Sequence, residues 1–273
     1  MREDVLLRTV WLSDIHLGSR ACRVNLLLDF LRQTRCETLY LAGDVIDLEH
    51  LRHDFYWPAS HTEVLRLIMR KSQEGTRVVY IPGNHDHELH AFAGARLGNI
   101  EIAREVIHTT RTGRRLLVLH GDQFDAVVRS KSLGVLLGGF ACRRLLDLNR
   151  FVHWLHDLAG RPYWSLAQHL KARFPGAKRY VERFQNATLV AAREARVDGV
   201  VCGHIHKAAL EERDGLLYCN DGDWVESCTA LVEDQAGRLS LLEWRPSAVA
   251  LAASATLSVS IWSGATVATA DAD

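Results

Sequence analysis

Apolar and polar positions follow two rhythms along this 273-residue chain. Short, nearly continuous apolar runs at residues 9–13, 38–42, 77–81, 116–119 and 199–202 have the length and character of strands buried on both faces. Between the early runs the apolar residues take helical spacing. Leu26, Leu27, Phe30 and Leu31 do so in Val24–Gln33, and Val64, Leu65, Ile68 and Met69 in 61–72. Pro82-Gly83 breaks the third run. A repeated strand–loop–helix order predicts α/β layering.

Residues 123–185 interrupt that rhythm. Residues 133–137, 145–158 and 180–184 have helical spacing, and Phe151, Trp154, Tyr163, Trp164 and Phe174 lie among them. A helical insertion is expected there, between a core formed by 1–122 and 186–246. After residue 206 the chain turns strand-rich, at 208–212, Leu216–Asn220, 227–233 and Leu239–Trp244. Asp214-Gly215 and Ala236-Gly237 mark turns between antiparallel partners. Residues 247–273 are dominated by Ala, Ser, Thr and Val. They have the length of a membrane span but few large apolar side chains, so a loosely ordered tail is expected.

Chemistry gathers where the apolar runs stop. Asp14-Ile15-His16, Gly43-Asp44, Gly83-Asn84-His85-Asp86, His120-Gly121-Asp122 and Gly203-His204-Ile205-His206 each follow a probable strand end, where open α/β sheets place their sites. Taken singly, each string has a bland reading: a turn, a helix cap, a core histidine or a surface loop. Together, in register with the strands, they offer Asp14, His16, Asp44, Asn84, His120, His204 and His206 as metal ligands, with His85 left over. In extended backbone Asp14 and His16 share a face and reach one ion together. Two dications ~3.5–4 Å apart repel by roughly 18 kcal/mol even at an effective dielectric of ~20, so a shared carboxylate is needed, and Asp44 is placed to supply it. Mixed imidazole, carboxylate and amide donors suit Mn, Fe or Zn better than Ca. Asp122 is expected to orient a ligating imidazole or its loop, with Asp47 in a similar role. His50, His53 and His61 read as flanking a polar loop. Asp221 and Asp223 read first as a turn.

Charge adds little until it is mapped. Lys plus Arg and Asp plus Glu number 33 each. Residues 129–183, however, hold eleven Lys/Arg against Asp147, Asp157 and Glu182. Basic and aromatic residues on short helices suit a lid over acyl chains or contact with an anionic membrane surface. They equally suit a solvated basic cap with its own small core. No recognition helix or single-strand platform is evident, so nucleic acid is not an expected partner. Six cysteines without a CxxC pair fit a reducing cytoplasm, and the acidic N-terminus does not read as a signal peptide.

The strings Asp14-x-His16, Gly43-Asp44, Gly83-Asn84-His85-Asp86, His120 and Gly203-His204-x-His206 together resemble the calcineurin-like metallophosphoesterases. The resemblance runs from Val10 to Trp244 apart from the insertion. It implies an α/β fold, a four-layer α–β–β–α sandwich, around two divalent ions. Asp14, His16, Asp44 and His206 would hold one ion, and Asp44, Asn84, His120 and His204 the other. His85 would sit beside the leaving group with Asp86 orienting it, and Asn84, His85 and His204 would meet the substrate. Within the family, Ser13-Asp14-Ile15-His16-Leu17-Gly18, His120-Gly121-Asp122-Gln123-Phe124-Asp125 and the insertion look like the UDP-2,3-diacylglucosamine diphosphatase branch. Well-studied members of that branch carry Arg where this chain has His85, whereas a second branch of similar layout keeps His.

The branch implies hydrolysis of a nucleotide-sugar lipid to UMP and 2,3-diacylglucosamine 1-phosphate in lipid A biosynthesis, with Mn2+. It also implies a cytoplasmic protein, peripheral at the inner face of the inner membrane. The alternative is another phosphoesterase: a protein phosphatase, a phosphodiesterase or a nuclease. A non-enzymatic scaffold of this fold would have lost ligands, and none is missing.

Overall fold

The computed structural model describes residues 5–128, 175–245 and 259–262. The expected insertion helices at 133–137 and 145–158, with their aromatic residues and Phe174, lie outside the described residues. The chain divides into two compact units, Met1–Asp122 with Leu189–Asp273, and Gln123–Thr188.

The first unit is α/β, built on two sheets. The larger sheet starts from β1 (Val5–Leu12), β2 (Thr34–Ala42), β3 (Arg77–Ile81) and β5 (Ile100–Ile102), all parallel. The two-residue strand β4 (Arg96–Leu97) closes one edge. On the other side β1 pairs antiparallel with β11 (Thr229–Glu233), followed by β12 (Leu239–Trp244) and β13 (Val259–Trp262). The smaller sheet runs β6 (Val106–Thr109), β7 (Arg115–Val118), β8 (Gly199–Cys202), β10 (Leu216–Asn220) and β9 (Ala209–Arg213), with β7, β8 and β10 parallel.

Alternation along the strands sorts side chains between two cores. Val10, Leu12, Leu39, Leu41, Val78 and Tyr80 face the helix side. There they join Leu27, Phe30 and Leu31 of α1 (Val24–Gln33) and Val64, Leu67 and Ile68 of α3 (Ala59–Gln73). Their neighbours Trp11, Tyr40, Ala42, Val79 and Ile81 turn the other way and meet Leu116, Val118, Val201 and Cys219 from the smaller sheet. Strands buried on both faces read as continuous apolar runs, and this is why those segments are visible in the sequence.

Several elements depart from expectation. His50 and His53 lie on a helix not anticipated from the sequence, α2 (Leu48–His53), where Asp47 acts as cap by accepting the His50 N–H at 2.9 Å. Strands β4, β5 and β6 fill a region for which no element was read from the sequence. Val259–Trp262, within the expected loose tail, pairs antiparallel with β12. The strand-rich C-terminal region is antiparallel within pairs, but β10 and β11 belong to different sheets, so residues 221–228 cross from one sheet to the other. Among the described residues no helix is long and apolar enough to cross a membrane.

In the second unit, α4 (Asp125–Val128) and the greater part of α5 (Pro175–Glu194) are described. The Tyr180 hydroxyl donates to Asp125 at 2.8 Å, and Phe124 meets Phe184 edge-on.

Candidate metal centre

Every expected ligand follows the C-terminal end of a parallel strand: β1, β2, β3, β7 or β8. The segment after β1 runs alongside the one after β2, with Asp14 N donating to Gly43 O, His16 N to Asp44 O and Leu17 N to Val45 O. Asp14, His16, Asp44, His204 and His206 all have φ between 51° and 68°. Left-handed backbone is costly for residues with a Cβ, about 1–3 kcal/mol each. Asp14 and His16 therefore do converge, with His16 Nε2 4.0 Å from Asp14 Oδ1. They do so through two consecutive tight bends at i and i+2, not through the extended alternation expected from the sequence.

Two groups of donor atoms form, Asp14–His16–His206 and Asp14–Asp44–His120, each with its atoms within 4.8 Å of one another. His206 Nε2 lies 3.0 Å from Asp14 Oδ1, and His120 Nε2 3.4 Å from Asp44 Oδ2. The His204 ring stands edge-on to His120, centroids 5.2 Å apart. His16 Nε2, Asn84 Oδ1 and His120 Nε2 are buried and form no hydrogen bond among the described residues. Bare polar atoms facing buried carboxylates are costly unless a ligand takes them up, and this donor set suits a transition dication. The residues present fit metal binding.

Electrostatics agree. Burial alone would raise the Asp44 carboxyl, but the His120 imidazole beside it outweighs burial and holds it down to about 2. Burial is likewise overcome at Asp14, where His206, His120 and His16 hold the carboxyl well below its usual range. Burial opposes charge on His120, yet Asp44 and Asp14 raise its pKa well above the ordinary value. Bound dications would replace those imidazole protons, since a ligating ring nitrogen is deprotonated.

A third cluster, His16, Asp47 and His85, is a hydrogen-bonded brace. Asp47 Oδ2 lies 3.2 Å from His16 Nδ1, and Asp47 Oδ1 lies 2.9 Å from His85 Nδ1. Both Asp47 oxygens are thus committed to rings whose Nε2 atoms remain for the site. Burial works against a charged His85, but Asp47 and Asp44 outweigh it and raise its pKa. The expectation that Asp86 orients His85 is corrected by this geometry. Asp86 is buried and accepts from Val45 N (2.9 Å), Gly83 N (2.6 Å) and the Tyr80 hydroxyl (2.5 Å), which staples the segments after β2 and β3 together. Asp122 opens a short 3-10 turn, and it is the Ala42 carbonyl, 2.9 Å from His120 Nδ1, that orients the His120 ring. Asp221 lies within the framework of the site, fully buried behind Asp14. Its position at the end of a strand, β10, was the available signal.

Strand-end His and Asp donors in an α/β sandwich define a metal-binding hydrolase architecture. The calcineurin-like phosphoesterase family model matches residues 7–208, and the chain belongs to that family. It is 26% identical over 247 residues to UDP-2,3-diacylglucosamine hydrolase of Porphyromonas gingivalis, covering 78% of this chain and 88% of that protein. Among solved structures, Vps29 of Chaetomium thermophilum aligns at 11% identity and TM-score 0.46, covering 93% of each chain. Yfce, a phosphoesterase from E. coli, aligns at 16% identity and TM-score 0.43, covering 86% of this chain and 91% of that one.

Proposed function

We propose that this protein hydrolyses the diphosphate of UDP-2,3-diacylglucosamine or a close nucleotide-sugar lipid, releasing UMP and 2,3-diacylglucosamine 1-phosphate with Mn2+ as its metal. The observation that carries the hydrolase reading is the placement of Asp44. Its Oδ2 lies 3.4 Å from His120 Nε2, 3.9 Å from His16 Nε2 and 4.0 Å from His85 Nε2, so one carboxylate faces both donor groups and the leftover imidazole. The named diphosphate substrate is supported by the P. gingivalis relative.

When bound, the paired dications supply Lewis acidity and an acidified water for attack on phosphorus. The chain supplies the rest. Asp14, His16, Asp44, Asn84, His120, His204 and His206 hold the ions. Asn84 and His204 also contact the substrate phosphates. His85, fixed through Nδ1 by Asp47, presents Nε2 to the leaving oxygen and donates a proton or a hydrogen bond as charge builds there. The basic residues of 129–183 complement anionic lipid headgroups, consistent with peripheral work at the inner membrane surface, where an acylated substrate resides.

The test is product analysis. Purified protein with Mn2+ is given UDP-2,3-diacylglucosamine, a phosphopeptide and a cyclic nucleotide, and products are read by phosphorus NMR and mass spectrometry. Release of UMP from the first substrate alone is expected. Turnover confined to the phosphopeptide or cyclic nucleotide would replace this substrate with the alternative phosphoesterase reading.

A further inference from the structure

Behind the ligand Asp14 lies an arrangement that metal ligation does not explain. The Ser13 hydroxyl is buried and lies 2.6 Å from Asp14 Oδ2 and 2.6 Å from Asp221 Oδ1. A hydroxyl has one hydrogen and cannot donate it to two carboxylate oxygens. At these separations each contact is a short O–H···O bond, so the second hydrogen must sit on one of the carboxyl groups.

The surroundings decide which. Asp14 Oδ2 already accepts the His204 N–H at 2.9 Å, and its Oδ1 lies 3.0 Å from His206 Nε2, an imidazole that favours the charged carboxylate, whereas no histidine is hydrogen-bonded to Asp221 among the described residues. Asp221 is fully buried, and its Oδ2 has no hydrogen-bond partner among the described residues. A bare buried carboxylate oxygen is far costlier than a bare carbonyl oxygen. Burial pushes the Asp221 carboxyl well above its ordinary range. Gly203 packs tightly against the Ser13–Asp14 pair, since a Cβ on it would stand 2.1 Å from Ser13 Oγ and 2.4 Å from Asp14 Oδ2. The crossing segment that carries Asp221 is itself tied to the ligand segments. Trp224 N donates to Asp14 O at 3.0 Å, and Asn220 Nδ2 donates to Gly203 O at 2.7 Å.

We infer that Asp221 is a neutral carboxylic acid that donates to Ser13, which in turn donates to Asp14, making Ser13 and Asp221 positioning residues that fix which oxygen of Asp14 is offered to the metal. The inference rests on Asp14 being a metal ligand. With Oδ2 held from behind by Ser13 and His204 N, Oδ1 is the oxygen turned towards His16 and His206.

An amide can replace a neutral acid as a donor but not a carboxylate as an acceptor. Asp221→Asn therefore keeps the chain, and Asp221→Ala and Ser13→Ala break it. Each variant is first melted without metal to establish folding, and Mn2+ affinity is then measured by calorimetry. Asp221→Asn should bind within about threefold of wild type, and the Ala variants about 10- to 100-fold more weakly, as for other groups that orient a ligand. Infrared difference spectra of the metal-free protein at neutral pH give a second readout. Wild type should show the carbonyl stretch of a buried carboxylic acid, and Asp221→Asn should lack it. The inference is overturned if that band is absent from wild type, or if Asp221→Asn binds Mn2+ as weakly as Asp221→Ala. Should Asp221→Ala fail to fold, Ser13→Ala and the infrared band decide. If wild type itself binds no metal, the metal-centre reading has failed, whereas wild-type binding without the expected pattern among variants defeats this inference alone.

Discussion

Asp44 and His85 are neighbours in the site with separable duties. The Asp44 side chain faces both donor groups, and its Oδ1 accepts the His85 backbone N–H at 2.8 Å. Removing it takes away the carboxylate placed to offset repulsion between the ions. Asp44→Ala should thus lose nearly all turnover and bind Mn2+ weakly and below two equivalents by calorimetry. His85 belongs to neither ligand group of the proposed dinuclear centre. His85→Ala should keep its metals and lose turnover by about 10²–10⁴-fold, the range for a general acid. Full activity in purified, metal-replete Asp44→Ala would defeat the metal assignment. Loss of metal from His85→Ala would make that residue a ligand. The candidate donor residues were legible in the sequence because they recur at strand ends. Their backbone was not: nothing in Asp-x-His announces φ near 50° at both ends. The partner of His85 was misjudged because sequence proximity favoured Asp86, whereas Asp47 reaches the ring from the cap of α2, across a loop.

At the scale of elements, the parallel strands deliver ligands only if their connecting bends are tight. Gly43 has φ +97°, and a Cβ there would stand 2.1 Å from His120 Nδ1. Any side chain would push the imidazole off the Ala42 carbonyl that orients it. Gly75 has φ +105° and open space around its missing Cβ. Gly75→Ala should cost only backbone strain, about 1–2 kcal/mol in a urea melt, with Mn2+ affinity unchanged. Gly43→Ala should be destabilised further and lose metal affinity as well. Equal behaviour of the two variants would mean that His120 has room to move. Strands β1, β2, β3, β7 and β8 were visible as apolar runs because both faces are buried, and β10 and β12 were marked by the turns beside them. Strands β4, β5 and β6 are short, and β4 and β6 carry exposed residues such as Leu97 and Ile107. Helix α2 buries no residue, so its only sequence signal was its capping Asp47.

Across the whole molecule, the two sheets are joined by more than apolar contact. Glu233 of β11 is fully buried and accepts from Arg8 Nη1 (2.8 Å), Thr9 Oγ1 (2.9 Å) and Arg111 N (2.6 Å), with His108 Nε2 of β6 at 3.2 Å. His108 also lies 3.2 Å from the Tyr40 hydroxyl, and its ring stands edge-on to Trp11. Burial alone would raise the Glu233 carboxyl, but His108 and these donors outweigh it and lower it from 4.5 to about 2. Between those values the unfolded chain binds the extra proton, so stability rises with pH across that window. The contribution, roughly 3 kcal/mol, is complete above pH 4.5 and is lost as pH falls through about 2. Denaturant melts from pH 5 to 2 should show a shallower acid limb in Glu233→Gln than in wild type, and identical slopes would refute the assignment. This network was invisible in the sequence because its members come from β1, β2, β6 and β11, and no local spacing links them.

The hydrogen bond from His204 N to Asp14 spans 190 residues of chain. Its consequence lies in the order of biogenesis. A polypeptide emerging from the ribosome carries Asp14, His16 and Asp44 early but must wait for β8 and the segment beyond it before the coordination shell closes. A nascent fragment ending before His204 should be unable to retain a full complement of bound metal, which makes metallation a late event in synthesis.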